Sequence, residues 1–262
     1  MSTVGIVMLI WGLAAAGMSL AFFYARREKN MGYVDVFWAL GMAVAAVMAG
    51  LLGEGSLASR VLVALFGGFW GVRLFRFLWH RVRGEAEDGR YQAMRAAIGD
   101  GAPRWFAFFQ LQALVIALFS LPFVAAAAGA GGIDSAWVWA AAAVWAIAVA
   151  GETLADRQLA AHRRDPAQKG RTCRRGLWGW SRHPNYFFEW VHWFAYVALA
   201  ATGPLAWLAL AGPLLMFAFL WRVSGIPWTE AQALRTRGDD YRRYQQEVSA
   251  FFPLPPRTHR AS

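Results

Sequence analysis

From Val4 to Tyr24 the chain carries no charged side chain, and this run constrains the fold more than any other feature. At about 1.5 Å per helical residue it covers the roughly 30 Å of hydrocarbon in a bilayer. Backbone polar groups find no water there, so a single segment crosses only as a helix. No basic region precedes the run, and Arg26, Arg27 and Lys29 follow it directly, which reads as a retained helix rather than a cleaved secretory signal. Further apolar spans lie at about 32 to 52, 60 to 80, 106 to 128, 135 to 152, 185 to 201 and 204 to 222, giving seven expected transmembrane helices. With 58% hydrophobic and only 16% charged residues, an ordinary water-soluble domain is excluded.

The placement of charge sets the orientation. Every Lys and Arg except Arg60 falls in residues 25–31, 73–105, 153–184 or the tail from 222. Seven spans put these four segments on one face, and short basic loops stay cytoplasmic. The expectation is an all-α polytopic membrane protein with its N-terminus outside and its C-terminus in the cytoplasm. No internal repeat or low-complexity linker divides it, so residues 1–262 are expected to form a single domain. Topology and attraction to anionic lipid account for much of the net charge of +10. The arginines sit at helix ends without a recognition motif, which excludes nucleic acid as a partner. Cys173 is the single cysteine, so no internal disulfide or multi-thiolate metal site is possible, and no metal is expected.

Topology does not explain the polar residues of "GLWGWSRHPNYFFEWVHW", residues 176–193. Pro184 suits the first position of a helix, with His183 at its cap. Asn185, Glu189 and His192 then follow at spacings of four and three, one stripe aimed into a bundle rather than at lipid. Arg182 and His183 beside a helix N-terminus make a ready anion site, and phosphate is its natural guest. Asn185 donates and accepts while Glu189 accepts, which suits an amide or sugar hydroxyls. The plain alternative is that the stripe holds helices together. In "MGYVDVFWALG", residues 31–41, Asp35 lies one turn inside the second span, near Tyr33 and Trp38. There a carboxyl is expected to favour its neutral form and to donate to a carbonyl oxygen; the plain alternative is pairing with Arg26 or Arg27. Gly67, Gly68 and Gly71 are expected to allow close helix approach.

The block "GLWGWSRHPNYFFEW", preceded by "ADRQLAAHRRDPAQKGRTCRRG" and followed by "YRRYQQEVSAFFPLPP", resembles the membrane reductases of the steroid 5α-reductase superfamily. Within it, the bacterial branch with "VDVFWALG" near the second helix is the most similar. The resemblance runs from Val34 to Pro256. It implies a helical membrane fold that binds NADPH from the cytoplasm and reduces a carbon–carbon double bond conjugated to a carbonyl. The helices of about 1–130 would then serve the substrate and residues of about 131–262 the cofactor.

Carried over by residue, Asn185 and Glu189 hold the nicotinamide end, and Arg182, His183, Tyr186 and Asp156 belong to the same site. The loop bearing Arg163, Lys169, Arg171, Arg174 and Arg175 resembles the region that meets the phosphates. Arg73, Arg76, Tyr241 and Tyr244 would be further walls. Asp35 takes the part of the acid that holds the enone oxygen. The ligand implied is a lipophilic small molecule reached from membrane lipid, and the protein a monomer. Related families of this architecture include a methyltransferase that uses S-adenosylmethionine, so that cofactor is the alternative. A transporter or scaffold is a third reading, with Asp35, Gln110, Gln112 and Glu189 along a polar path.

Overall fold

The computed structural model describes residues 1–223 and 225–257. Among the described residues the chain is 78% helix with no strand. Helix α1, Thr3–Arg27, starts where the Ser2 hydroxyl accepts from the Gly5 N–H and ends on Arg26 and Arg27, the pattern that satisfies free amides and complements the dipole. Helices α2, Tyr33–Leu52, and α3, Leu57–Gly84, follow. A short helix α4, Gly89–Ile98, capped by Asp88, leads to α5, Ala102–Ala127. Then come α6, Ala136–Arg164, and α7, Pro184–Ala200. The chain closes with α8, Ala206–Ala209, α9, Ala211–Ala218, a π-helical turn Phe219–Val223, α10, Ile226–Arg237, and α11, Asp239–Glu247.

Among the described residues, six helical runs are long and apolar enough to cross a membrane: α1, α2, α3, α5, α6 and the stretch Ala206–Arg237. The expected span at 185–201 is α7, whose 17 residues include Glu189 and His192. Length and polarity together set it apart from the six.

The chain divides into two compact units. The first comprises Met1–Ala141 with Tyr196–Gly212. In it α2 packs on α3 and α5, and α1 on α5. The α2–α3 approach is as close as the glycine spacing implies: a Cβ on Gly67 would lie 2.3 Å from the Ala46 Cβ, and one on Gly71 would lie 2.8 Å from the Ala43 Cβ. Inside the apolar bundle, Gln110 of α5 donates to the Ser19 hydroxyl of α1 at 3.0 Å, one of the polar bonds that tie membrane helices together.

The second unit comprises Ala142–Ala195 and the chain from Pro213 onward. Here α6 and α7 come together at Gly151, where a Cβ would fall 2.4 Å from the Phe188 ring. The tail folds back on the loop before α7. Arg182 N–H donates to the Ser249 carbonyl at 2.8 Å and Leu254 N–H to that of Trp180 at 3.0 Å. The Tyr244 hydroxyl donates to the Trp178 carbonyl at 2.6 Å, and that of Ser181 to the Phe251 carbonyl at 2.8 Å. Tyr241, Tyr244, Val248 and Ala233 form a small buried core behind these bonds.

Candidate functional site

Within the second unit the start of α7 is organised around a carboxylate that the sequence reading did not single out. Glu230 of α10 accepts from Arg182 Nε at 2.6 Å, lies 3.3 Å from His183 Nε2, and accepts from Tyr241 at 3.4 Å and from Gln245 at 2.8 Å. The Arg182 guanidinium also donates to the carbonyls of Gln245 and Val248. His183 caps α7 as expected, its carbonyl accepting from Phe187 N–H, and its ring stacks on Tyr186 at 5.4 Å. Burial and the neighbouring Arg182 charge hold the imidazole below its ordinary pKa, outweighing Glu230. Burial likewise pushes the Tyr241 phenol up. The carboxylate that meets this helix start is the chain's own Glu230, because a guanidinium at a helix N-terminus attracts whichever carboxylate the fold brings near.

One turn further along, the two stripes anticipated on α6 and α7 meet. Asn185 Nδ2 donates to Asp156 Oδ1 at 3.3 Å, while Asn185 Oδ1 accepts from Tyr186 N–H at 3.0 Å. The Tyr186 hydroxyl lies 3.2 Å from the Thr229 hydroxyl. Glu152 and Asp156 on α6, and Asn185 and Glu189 on α7, each repeat at four residues and so share a face of their helix. Asp156 is exposed, and Asn185 and Glu189 are partly so. This face combines amide and carboxylate groups next to solvent, the donor and acceptor set suited to a carboxamide or to hydroxyls.

The end of α6 and the loop from it to α7 divide their cations between two tasks. Arg174 turns inward, pairing with Glu247, bonding the Asp240 carbonyl at 2.9 Å and stacking over Tyr244 at 5.5 Å. Arg163, Lys169, Arg171 and Arg175 are exposed and form no ion pair among the described residues. Beside them Thr172 is buried, its N–H donating to Asp240 at 2.7 Å while its hydroxyl has no partner among the described residues. Burial alone would raise the Asp240 carboxyl, but hydrogen bonding from Thr172 and the Arg174 charge hold it below the ordinary range.

Asp35 belongs to the first unit and is engaged there on both oxygens. Arg90 of α4 donates to Oδ2 at 2.9 Å, and the buried Tyr91 hydroxyl to Oδ1 at 2.7 Å. The pairing with Arg26 or Arg27 gives way to Arg90, because α4 folds across the start of α2. Arg90 also binds Asp88, and this bonding with the Arg81 charge overcomes burial to hold the Asp88 carboxyl below its usual range. Burial, then the Asp35 charge, pushes the Tyr91 phenol well above its ordinary value. Asp35 is therefore an acceptor in this array, where the sequence alone suggested a donor.

The structure brings together Arg182, His183 and Tyr241 through Glu230, and Asn185 with Asp156. It leaves Arg163 exposed in the last turn of α6, not on the loop as expected, and Lys169 and Arg171 exposed on the loop that follows. Glu230 escaped the sequence reading because "IPWTEAQALR" looks like a solvated helix; the Pro at the helix start and the nearby "YRRYQQE" block were the available signals.

Residues 21–248 match the family described as Protein of unknown function (DUF1295). The chain is 28% identical over 271 residues to the uncharacterized protein C594.04c of Schizosaccharomyces pombe, an alignment covering 88% of this chain and 75% of that protein. No solved structure matches the chain.

Proposed function

The chain belongs to the DUF1295 family, and from that premise and its own side chains we propose that it is an integral membrane reductase. It takes NADPH as cofactor and reduces the carbon–carbon double bond of a lipophilic enone, as the resemblance to the steroid 5α-reductase superfamily implies. In this reading α7 is the seventh span, the N-terminus is outside, and the basic loops face the cytoplasm of a bacterial cell. The observation that carries it is the Asn185–Asp156 bond at 3.3 Å on a polar face in the same unit as four exposed cations.

These residues suit the cofactor by charge and donor type. Arg163, Lys169, Arg171 and Arg175 would hold the phosphates, for which several guanidiniums are the natural counterpart. Asn185 and Glu189 would hold the carboxamide end, with Asp156 fixing the Asn185 amide. Arg182, His183 and Tyr241, committed to Glu230, frame the start of α7. The cofactor supplies hydride when bound. Asp35 acts on the enone oxygen, where charge develops, through the donors it holds: its bonds keep the Arg90 guanidinium and the Tyr91 hydroxyl in place.

Thermal unfolding of the purified protein tests the reading directly. NADPH at a hundred times its dissociation constant is expected to add about 2.7 kcal/mol, NADH less, and S-adenosylmethionine nothing. Stabilisation by S-adenosylmethionine alone would replace the reductase with a methyltransferase. With androstenedione as trial enone, Asp35→Ala is expected to keep the NADPH stabilisation while NADPH oxidation falls roughly 10²-fold, the usual cost of a lost oxyanion donor, because Arg90 and Tyr91 lose the carboxylate that holds them. Oxidation at the unmutated rate would remove Asp35 from the chemistry.

A further inference from the structure

Trp38 stands three residues beyond Asp35 on α2, so both side chains lie on one face of the helix. Its ring is held edge-on by Trp70 of α3, with centroids 6.2 Å apart at 84°, and by Phe119 of α5, 5.9 Å apart at 88°. Packing from two helices fixes the indole in place. Its Nε1–H is nevertheless buried with no hydrogen-bond partner among the described residues.

Leaving a donor unpaired in a protein interior costs about 1–3 kcal/mol, and such groups are few in native folds. An apolar ring of the same size would fill this space without that cost. Trp38 lies five residues beyond Tyr33, about 7.5 Å along α2 at the helical rise, inside a run of mean hydropathy 1.9. Bulk water is scarce at that depth. An indole N–H only donates, so the missing partner is an acceptor. The Trp70 and Phe119 rings carry no charge, and Arg90, the cation beside Asp35, is already paired with Asp35 and Asp88, which disfavours phosphates and carboxylates and leaves a neutral oxygen on an apolar body.

We infer that Trp38 Nε1–H donates to the carbonyl oxygen of a lipophilic ligand lodged among α2, α3 and α5. The inference rests on the reading above for its ligand class, a neutral lipophilic ketone, and adds the residue that recognises the oxygen. Asp35, one turn earlier on the same face, accepts from Arg90 and Tyr91. Trp38 is the donor on this face with its hydrogen uncommitted.

The experiment uses the full chain in lipid nanodiscs without cofactor, and progesterone labelled with ¹³C at its ring ketone as probe. Infrared spectra are expected to show the labelled carbonyl stretch lowered on binding to the unsubstituted protein. In Trp38→Phe the shift should vanish and affinity fall about fivefold to tenfold, the worth of one hydrogen bond. Benzothienylalanine at position 38, which keeps the ring size and lacks the N–H, should melt no lower than the parent without ligand, since an orphan donor has been removed. If Trp38→Phe fails to fold, benzothienylalanine at position 38 keeps the ring shape without the N–H and gives the same reading. An unshifted carbonyl in the parent, equal spectra and affinities in parent and variant, or no binding by the parent would each overturn the inference. A Trp38-dependent carbonyl shift without NADPH oxidation would sink the reductase reading alone. Reduction insensitive to Trp38→Phe would sink the inference alone.

Discussion

At the residue scale the strongest commitment is Glu230. Arg182 and Glu230 are 11% and 15% exposed, so their ion pair is screened far less than a surface pair. Removing one member leaves the other's charge buried. Glu230→Ala is expected to cost about 3–5 kcal/mol, and Glu230→Gln, which keeps an acceptor oxygen, about 2 kcal/mol; both are read from thermal unfolding. Equal melting of Glu230→Ala and the parent would make the cluster incidental. His183 adds a pH dependence. Its folded-state pKa lies below the ordinary 6.5, so the unfolded chain takes up the proton first. Its contribution is full above 6.5 and declines as pH falls through that value. Asp88 and Asp240, held below their ordinary 3.8, contribute above that value and lose their contribution at still lower pH. Melting temperature should therefore start to fall below about pH 6.5 and fall further near pH 4, with the first step reduced in His183→Asn.

At the scale of elements, glycine placement separates contact from open surface. Gly151 of α6 has the Phe188 ring within 2.4 Å of where a Cβ would stand, whereas Gly12 of α1 has nothing within 4 Å. Gly151→Val is expected to destabilise the second unit by about 1–3 kcal/mol through overpacking, and to separate Asn185 from Asp156, weakening NADPH stabilisation. Gly12→Ala should stay within about 0.5 kcal/mol of the parent. If Gly151→Val left both melting and NADPH stabilisation unchanged, the α6–α7 face would not be the cofactor's seat. The α7 stripe of Asn185, Glu189 and His192 was legible because helical spacing alone puts them on one face. The partner of Asn185 was not, since Asp156 is 29 residues away and nothing in spacing tells which helix a stripe will face.

At the scale of the whole molecule, topology is open to a direct measurement. In a Cys173→Ser background, cysteines at Glu54 and Ala130 are expected to react with an impermeant thiol reagent from outside, and cysteines at Ala86 and Ala167 only after permeabilisation. The basis is the one-sided partition of basic residues under seven spans. An external Ala167 would put Arg163 and Lys169 in the wrong compartment for NADPH. What the sequence determined by itself was the class of fold, because uncharged runs of about 20 residues leave a chain in hydrocarbon no choice but helices. It also determined where α7 starts, since Pro184 acts within a few residues of its own position. The tertiary structure alone decided the charge partners: Glu230 for Arg182 across 48 residues, Arg90 for Asp35 across 55. Coulomb attraction acts over a few ångströms in space, not along the chain, so which carboxylate meets which guanidinium is fixed only when the helices have packed.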